Sequence, residues 1–102
     1  MKLTDYIADF LANLGTEHVF TITGGMIAHA LDSIGRRAKE KGDIDFVCVQ
    51  HEQSAVMAVE AYSRLHKGIG VAMTTSGPGA TNLITGICGC WCDSIPGLFI
   101  TG

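Results

Sequence analysis

A chain of 102 residues, 47% apolar and only 17% charged, is long enough for one ordinary domain, and apolar enough that most faces of its elements expect cover. Its net charge of −3 gives no electrostatic case for nucleic acid or an anionic membrane as a partner. The charge-free stretch from Gly68 to Cys92 does not read as a membrane span, because Thr74-Thr75-Ser76-Gly77-Pro78-Gly79 interrupts it where a spanning helix needs unbroken backbone pairing.

Leu3, Tyr6, Ile7, Phe10, Leu11 and Leu14 recur at helical spacing, with Thr4 placed to cap this first helix and Gly15 to close it. His18-Val19-Phe20-Thr21-Ile22 reads as a short strand, and Thr23-Gly24-Gly25 as a tight turn. Ile27, Ala30, Leu31 and Ile34 form the apolar face of a second helix, ended by Gly42. Ile44 to Val49 is the second strand, expected to be buried. A third helix runs from about Glu52 to His66 and stops before Gly68. Ile69 to Thr75 is a third strand, apolar on both faces, and a fourth helix follows from Ala80 to about Trp91. Gly86 and Gly89 weaken that helix intrinsically, so both are expected where another backbone comes close. Leu98-Phe99-Ile100 starts a fourth strand.

The order is α, then βαβαβαβ. Apolar strands alternating with helices imply an α/β fold, a parallel sheet with helices on both faces and right-handed crossovers. The sequence stops at Thr101-Gly102, the carboxyl end of a strand, where a parallel sheet calls for a loop and another helix. Residues 1–102 are therefore expected to be the opening portion of a longer polypeptide, incomplete at its C-terminus and apolar on the surface when isolated.

Met1-Lys2-Leu3-Thr4-Asp5 leads straight into an amphipathic pattern, so Cys48, Cys88, Cys90 and Cys92 are expected as reduced thiols of a cytoplasmic protein. The alternation of the last three fits neither a C-x-x-C redox pair nor a four-ligand zinc layout.

Ligands of open parallel sheets gather at the carboxyl ends of the strands. Three such ends carry distinctive residues: Thr23-Gly24-Gly25, His51-Glu52-Gln53 and Ser76-Gly77-Pro78-Gly79-Ala80-Thr81-Asn82. As a dinucleotide fingerprint, Gly77-Pro78-Gly79 lacks its third glycine, which is Asn82, and Pro78 removes one N–H donor. The phosphate-loop Gly-Lys-Ser/Thr is absent. His51-Glu52 lacks the second histidine of a zinc-protease helix, since position 55 is Ala55. Read alone, Glu52 is better explained as an acid in the first turn of a helix.

Taken together, His18-Val19-Phe20, Gly24-Gly25, His51-Glu52-Gln53, Thr75-Ser76-Gly77-Pro78-Gly79-Ala80-Thr81-Asn82 and Asp93-Ser94-Ile95-Pro96 resemble, in order and spacing, the amino-terminal pyrimidine-binding domain of thiamine-diphosphate enzymes of the acetolactate synthase type. The resemblance covers essentially the whole chain. It implies that Glu52 pairs with the ring nitrogen of the cofactor's aminopyrimidine, favouring the imino tautomer that takes the proton from the thiazolium carbon. The activated cofactor then decarboxylates a 2-keto acid such as pyruvate and adds the remainder to an acceptor carbonyl. The helix dipole favours the Glu52 carboxylate, whereas cover by a ring favours its protonated form. That opposition suits a group that shares a proton.

By the same resemblance Thr23, Gly24 and Gly25 line the aminopyrimidine pocket, and Pro78 and Asn82 flank the ring. Diphosphate and Mg2+ are held by a missing carboxyl-terminal domain, within a homodimer or homotetramer. FAD is compatible with the family but not readable from these residues.

Three departures stand out. The synthases usually carry Tyr-Pro where this chain has Ile22-Thr23, Arg where it has Gln50, and a more ordinary Ala/Tyr/Met stretch where it has Gly89-Cys90-Trp91-Cys92. They leave the product open, so a sibling carboligase or decarboxylase, one acting on a keto-sugar included, fits as well. The alternative from another class is a truncated, non-catalytic chain that acts only through partner association.

Overall fold

The computed structural model describes residues 1–102. Its elements are α1 (Leu3–Asn13), β1 (His18–Thr21), a 3-10 turn (Gly25–Ile27), α2 (Ala28–Glu40), β2 (Asp45–Cys48), α3 (Glu52–Leu65), β3 (Gly70–Thr74), α4 (Pro78–Thr81), α5 (Ile84–Cys92) and β4 (Gly97–Thr101). The sheet is wholly parallel, in the order β2-β1-β3-β4. Phe20 stands between Val47 and Ala72 in the register, and Ala72 pairs onward with Phe99.

Alternate residues of β3 serve opposite faces, as strand geometry requires. Val71 and Met73 join Ala8 and Leu11 of α1 and Leu31 and Ile34 of α2 in one core. Ala72 joins Ala55, Val56 and Val59 of α3, with Leu83 and Cys90, in the other. Helices therefore cover both faces, as the alternation of elements implies. No helix is long and apolar enough to cross a membrane.

Four local expectations need correction. The first helix is not capped by Thr4. Its start is tied by the Lys2 N–H donating to the Asp5 carboxylate at 3.1 Å, while the Thr4 hydroxyl pairs with the Ser33 hydroxyl of α2 at 3.0 Å. Its apolar stripe is wider than the contact it makes: Leu11 is fully buried, but Leu3, Tyr6, Phe10 and Leu14 are exposed. Gly15 does close the helix, at φ +82°. Second, β2 is an edge strand, and Asp45, Val47 and Cys48 are exposed; only Ile44, just before it, is buried among the α1/α2 core. Third, the fourth helix is two, broken at Asn82-Leu83. Fourth, Gly86 does admit a close neighbour, though a side chain rather than a backbone: a Cβ there would lie 2.1 Å from Val56 Cγ1, whereas Gly89 has nothing within 4 Å.

The α1–α2 contact has a polar clasp. Ser33 donates to Asp5 Oδ1 at 2.8 Å, and Arg36 reaches the same oxygen at 2.5 Å. Alongside it, Arg37 bridges Asp9 and Asp43. The hydrogen bonds from Ser33, the Lys2 backbone and Arg36 hold the Asp5 carboxyl down from an ordinary 3.8 to about 2. A depressed folded-state value stabilises above the unfolded one and is lost as pH falls through the folded one. Asp5→Asn is therefore expected to lower stability at neutral pH and to abolish the part of acid destabilisation that falls between pH 3.8 and about 2. Urea midpoints taken across that window measure it; parallel curves for the two proteins would contradict it.

Candidate functional site

The chain leaves β1 toward α2 on one face and leaves β3 toward α4 and α5 on the other. Between the carboxyl ends of neighbouring strands that depart to opposite faces, a crevice opens. Its two walls are Thr23-Gly24-Gly25 and Thr75-Ser76-Gly77-Pro78-Gly79.

Thr75 sits between two glycines. A Cβ on Gly24 would lie 2.6 Å from Thr75 Cβ, and one on Gly79 would lie 2.8 Å from Thr75 Cγ2. Neither position tolerates a side chain without movement, so the three residues lock the β1 loop to the β3 loop. Gly77 makes the bend at φ +69°, where glycine alone is unstrained. Pro78 then opens α4, where its missing N–H costs no helical bond.

Glu52 lies in the first turn of α3, after His51, whose Nδ1 accepts from the Gln53 N–H at 3.1 Å. Its half-buried side chain turns toward the proline bend. Asn82 Nδ2 donates to Glu52 Oε2 at 3.0 Å. Oε1 faces Gly79, 3.4 Å from where a Cβ would stand. The acid, the bend and Asn82 thus meet on one rim, through residues 30 positions apart in sequence. Asn82 lies at the break between α4 and α5.

The six residues singled out by sequence fall into two groups. Glu52, Pro78 and Asn82 share the α3/α4 side. Thr23, Gly24 and Gly25 border a groove of about 730 Å³ on the α2 side, floored by Leu31 and Phe46. Thr75 joins the groups, a role not assigned from sequence, although a β-branched residue at a strand end flanked in space by two required glycines was the available signal.

A carboxylate with one oxygen so held can meet the edge of a flat heterocycle with the other. Asn82 occupies one oxygen of Glu52 and leaves the other toward the side-chain-free wall of Gly79. None of residues 23–25, 50–53 or 75–82 is Lys or Arg; the cations nearest the rim are Arg36 and Lys39, which line the α2-side groove.

Residues 1–102 match the family described as "Thiamine pyrophosphate enzyme, N-terminal TPP binding domain". The chain belongs to this family. It is similar to the acetolactate synthase of Arthrospira platensis, 43% identical over 96 residues, which are 94% of this chain and 16% of that protein. The acetolactate synthase large subunit of Buchnera aphidicola subsp. Schizaphis graminum is 41% identical over 92 residues, 90% of this chain and 15% of that protein. That of Haemophilus influenzae is 38% identical over 98 residues, 96% of this chain and 16% of that protein. This thiamine pyrophosphate-binding domain thus spans about one-sixth of the length of the curated relatives it matches.

Proposed function

We propose that this domain supplies the aminopyrimidine-activating half-site of a thiamine-diphosphate-dependent enzyme of the acetolactate synthase type, acting on a 2-keto acid such as pyruvate. The observation that carries this reading is the Glu52 carboxylate held by Asn82 beside Gly79 at the sheet's switch point. When bound, thiamine diphosphate supplies the electron sink for decarboxylation and carbon–carbon bond formation.

This chain's residues do the rest of the local work. Glu52 Oε1 would share a proton with the ring nitrogen, giving it over as the imino tautomer forms; Asn82 would fix the carboxylate plane, and Gly79 and Pro78 would wall the ring. Thr75, wedged between Gly24 and Gly79, keeps the two loops at a fixed separation. Diphosphate and Mg2+ belong to a further domain of a dimer or tetramer, so the 102 residues alone are inactive.

A chimera tests the reading: residues 1–102 replace the matching segment of the Haemophilus influenzae large subunit. Acetolactate formation from pyruvate with thiamine diphosphate and Mg2+ is the expected result. A chimera that folds and binds the cofactor yet makes no acetolactate sinks the pyruvate reading, and one that folds and binds no cofactor sinks the half-site itself. In the same protein, Asn82→Ala is expected to lower kcat with little change in KM for pyruvate. Losing a hydrogen bond to a charged group costs about 1.5–3 kcal/mol, or roughly 10–150-fold. An unchanged kcat removes Asn82 from the orienting role.

A further inference from the structure

The largest opening in the molecule is the α2-side groove of about 730 Å³, and Glu52, Pro78 and Asn82 do not border it. One wall is a single face of α2. Ala28, Leu31, Asp32, Gly35, Arg36 and Lys39 line it, and their steps of three and four residues stack them along one side of the helix. Phe46 of the edge strand β2 stands opposite, its ring 3.4 Å from where a Cβ on Gly35 would lie. Positions 28 and 35 carry a methyl group and a hydrogen, so the space between helix and ring stays open. Gly24 and Gly25 close one end with bare backbone. Leu31, 6% exposed, and half-buried Phe46 supply the apolar floor.

The charges along this face are unequally engaged. Arg36 is committed to Asp5 at 2.5 Å and to Asp32 at 3.2 Å. Arg37, on the next position round the helix, bridges Asp9 and Asp43. Lys39 is exposed and takes part in none of these ion pairs. One cation is therefore left over, on a flexible stem, about 12 Å along the helix from Leu31. Cavities of this size take small, largely apolar molecules that a few polar groups orient. Here the orienting group is a single positive charge, and the bare glycine wall facing an aromatic ring favours a flat body.

We propose that this groove is a binding site for a small aromatic monocarboxylate. The ring lies between Phe46 and the Gly24-Gly25 backbone, and the carboxylate meets Lys39. The site is distinct from the cofactor half-site, although both touch the Gly24 loop: the half-site is built on α3 and α4, the groove on α2 and β2.

The test titrates the folded full-length chimera with 1-naphthylacetate, followed by saturation-transfer NMR, with and without saturating thiamine diphosphate and Mg2+. Saturable binding is expected, with a dissociation constant on the order of 1 mM that the cofactor does not change. The corresponding alcohol, which lacks the charge, and amine, which reverses it, should bind more weakly. Lys39→Gln should weaken the acid by about two- to fivefold, the range of an exposed ion pair, and leave the alcohol as it was. Asp32→Asn, which removes a like charge from the same face, should tighten the acid by about twofold. Ala28→Phe, at an exposed position, fills the groove and should abolish saturable binding while the unfolding curve stays that of the parent. Equal affinity for acid, alcohol and amine, an indifferent Lys39→Gln, or binding that survives Ala28→Phe would overturn the assignment. So would displacement of the acid by thiamine diphosphate, which would make the groove part of the half-site. A chimera that binds the acid but no cofactor sinks the half-site and leaves the groove standing, so the two failures are told apart.

Discussion

Alanine at position 86 is expected to lower the Tm, while alanine at position 89, on the same helix, raises it. In a helix interior Gly→Ala is worth about 0.5–1 kcal/mol of added stability when the new methyl meets nothing. Gly89 meets that condition, with no atom within 4 Å and no left-handed backbone. At Gly86 a Cβ would stand 2.1 Å from Val56 Cγ1 and 2.4 Å from Val56 Cβ. Both atoms belong to a stiff, fully buried β-branched residue that cannot swing aside. Overpacking of this kind costs about 1–3 kcal/mol, which outweighs the helical gain and shifts Tm by roughly 4–8 °C per kcal/mol in a domain of this size. Thermal unfolding of the two variants therefore moves in opposite directions. Val56→Ala should recover part of the loss in the Gly86→Ala background, a favourable coupling of about 0.5–3 kcal/mol. Equal Tm for the Gly86 variant and the parent would mean that α5 is free to slide from α3.

That contrast also marks what sequence periodicity can and cannot carry. Both glycines look alike in a linear reading; only the placement of α5 over α3 distinguishes them. The same holds for β2. Ile44 to Val49 is apolar enough for a central strand, yet strand order is a non-local property, and the order β2-β1-β3-β4 leaves β2 with one neighbour and exposed residues. The first helix shows the converse: Leu3, Phe10 and Leu14 obey the helical period but extend beyond what α2 and the sheet cover. Element types and the parallel sheet were legible because alternation of apolar strands with helices admits few other solutions. The break before α5 was not, since Thr81-Asn82-Leu83 contains no proline or glycine. At the break the Asn82 amide bonds to Glu52, a contact across 30 residues. At the rim, the three loops converge as strand direction demands, but their division into an α2-side group and an α3/α4-side group depends on Thr75, whose neighbours only coordinates reveal.

Glu52→Gln is the substitution with the largest expected effect on chemistry. Glutamine keeps the length and shape of the side chain, and its amide oxygen still accepts from Asn82 Nδ2, so the rim geometry at 3.0 Å should persist. What disappears is a group able to share a proton with a ring nitrogen. Proton transfer by a positioned side chain is worth about 10²–10⁴-fold, so kcat of the chimera should fall by that order while its unfolding curve stays where it was. Exchange of the cofactor's C2 proton with deuterated solvent, followed by NMR in the absence of substrate, isolates the step from keto-acid binding. It should fall in parallel with kcat; undiminished exchange would remove Glu52 from the reaction. The pair with Asn82 sharpens the test. If the amide acts only by orienting the carboxylate, Asn82→Ala adds little further loss to the Glu52→Gln protein, as residues that work as one unit are not additive. Full additivity would instead give Asn82 a contact of its own with the ring and relegate the 3.0 Å hydrogen bond to a packing detail.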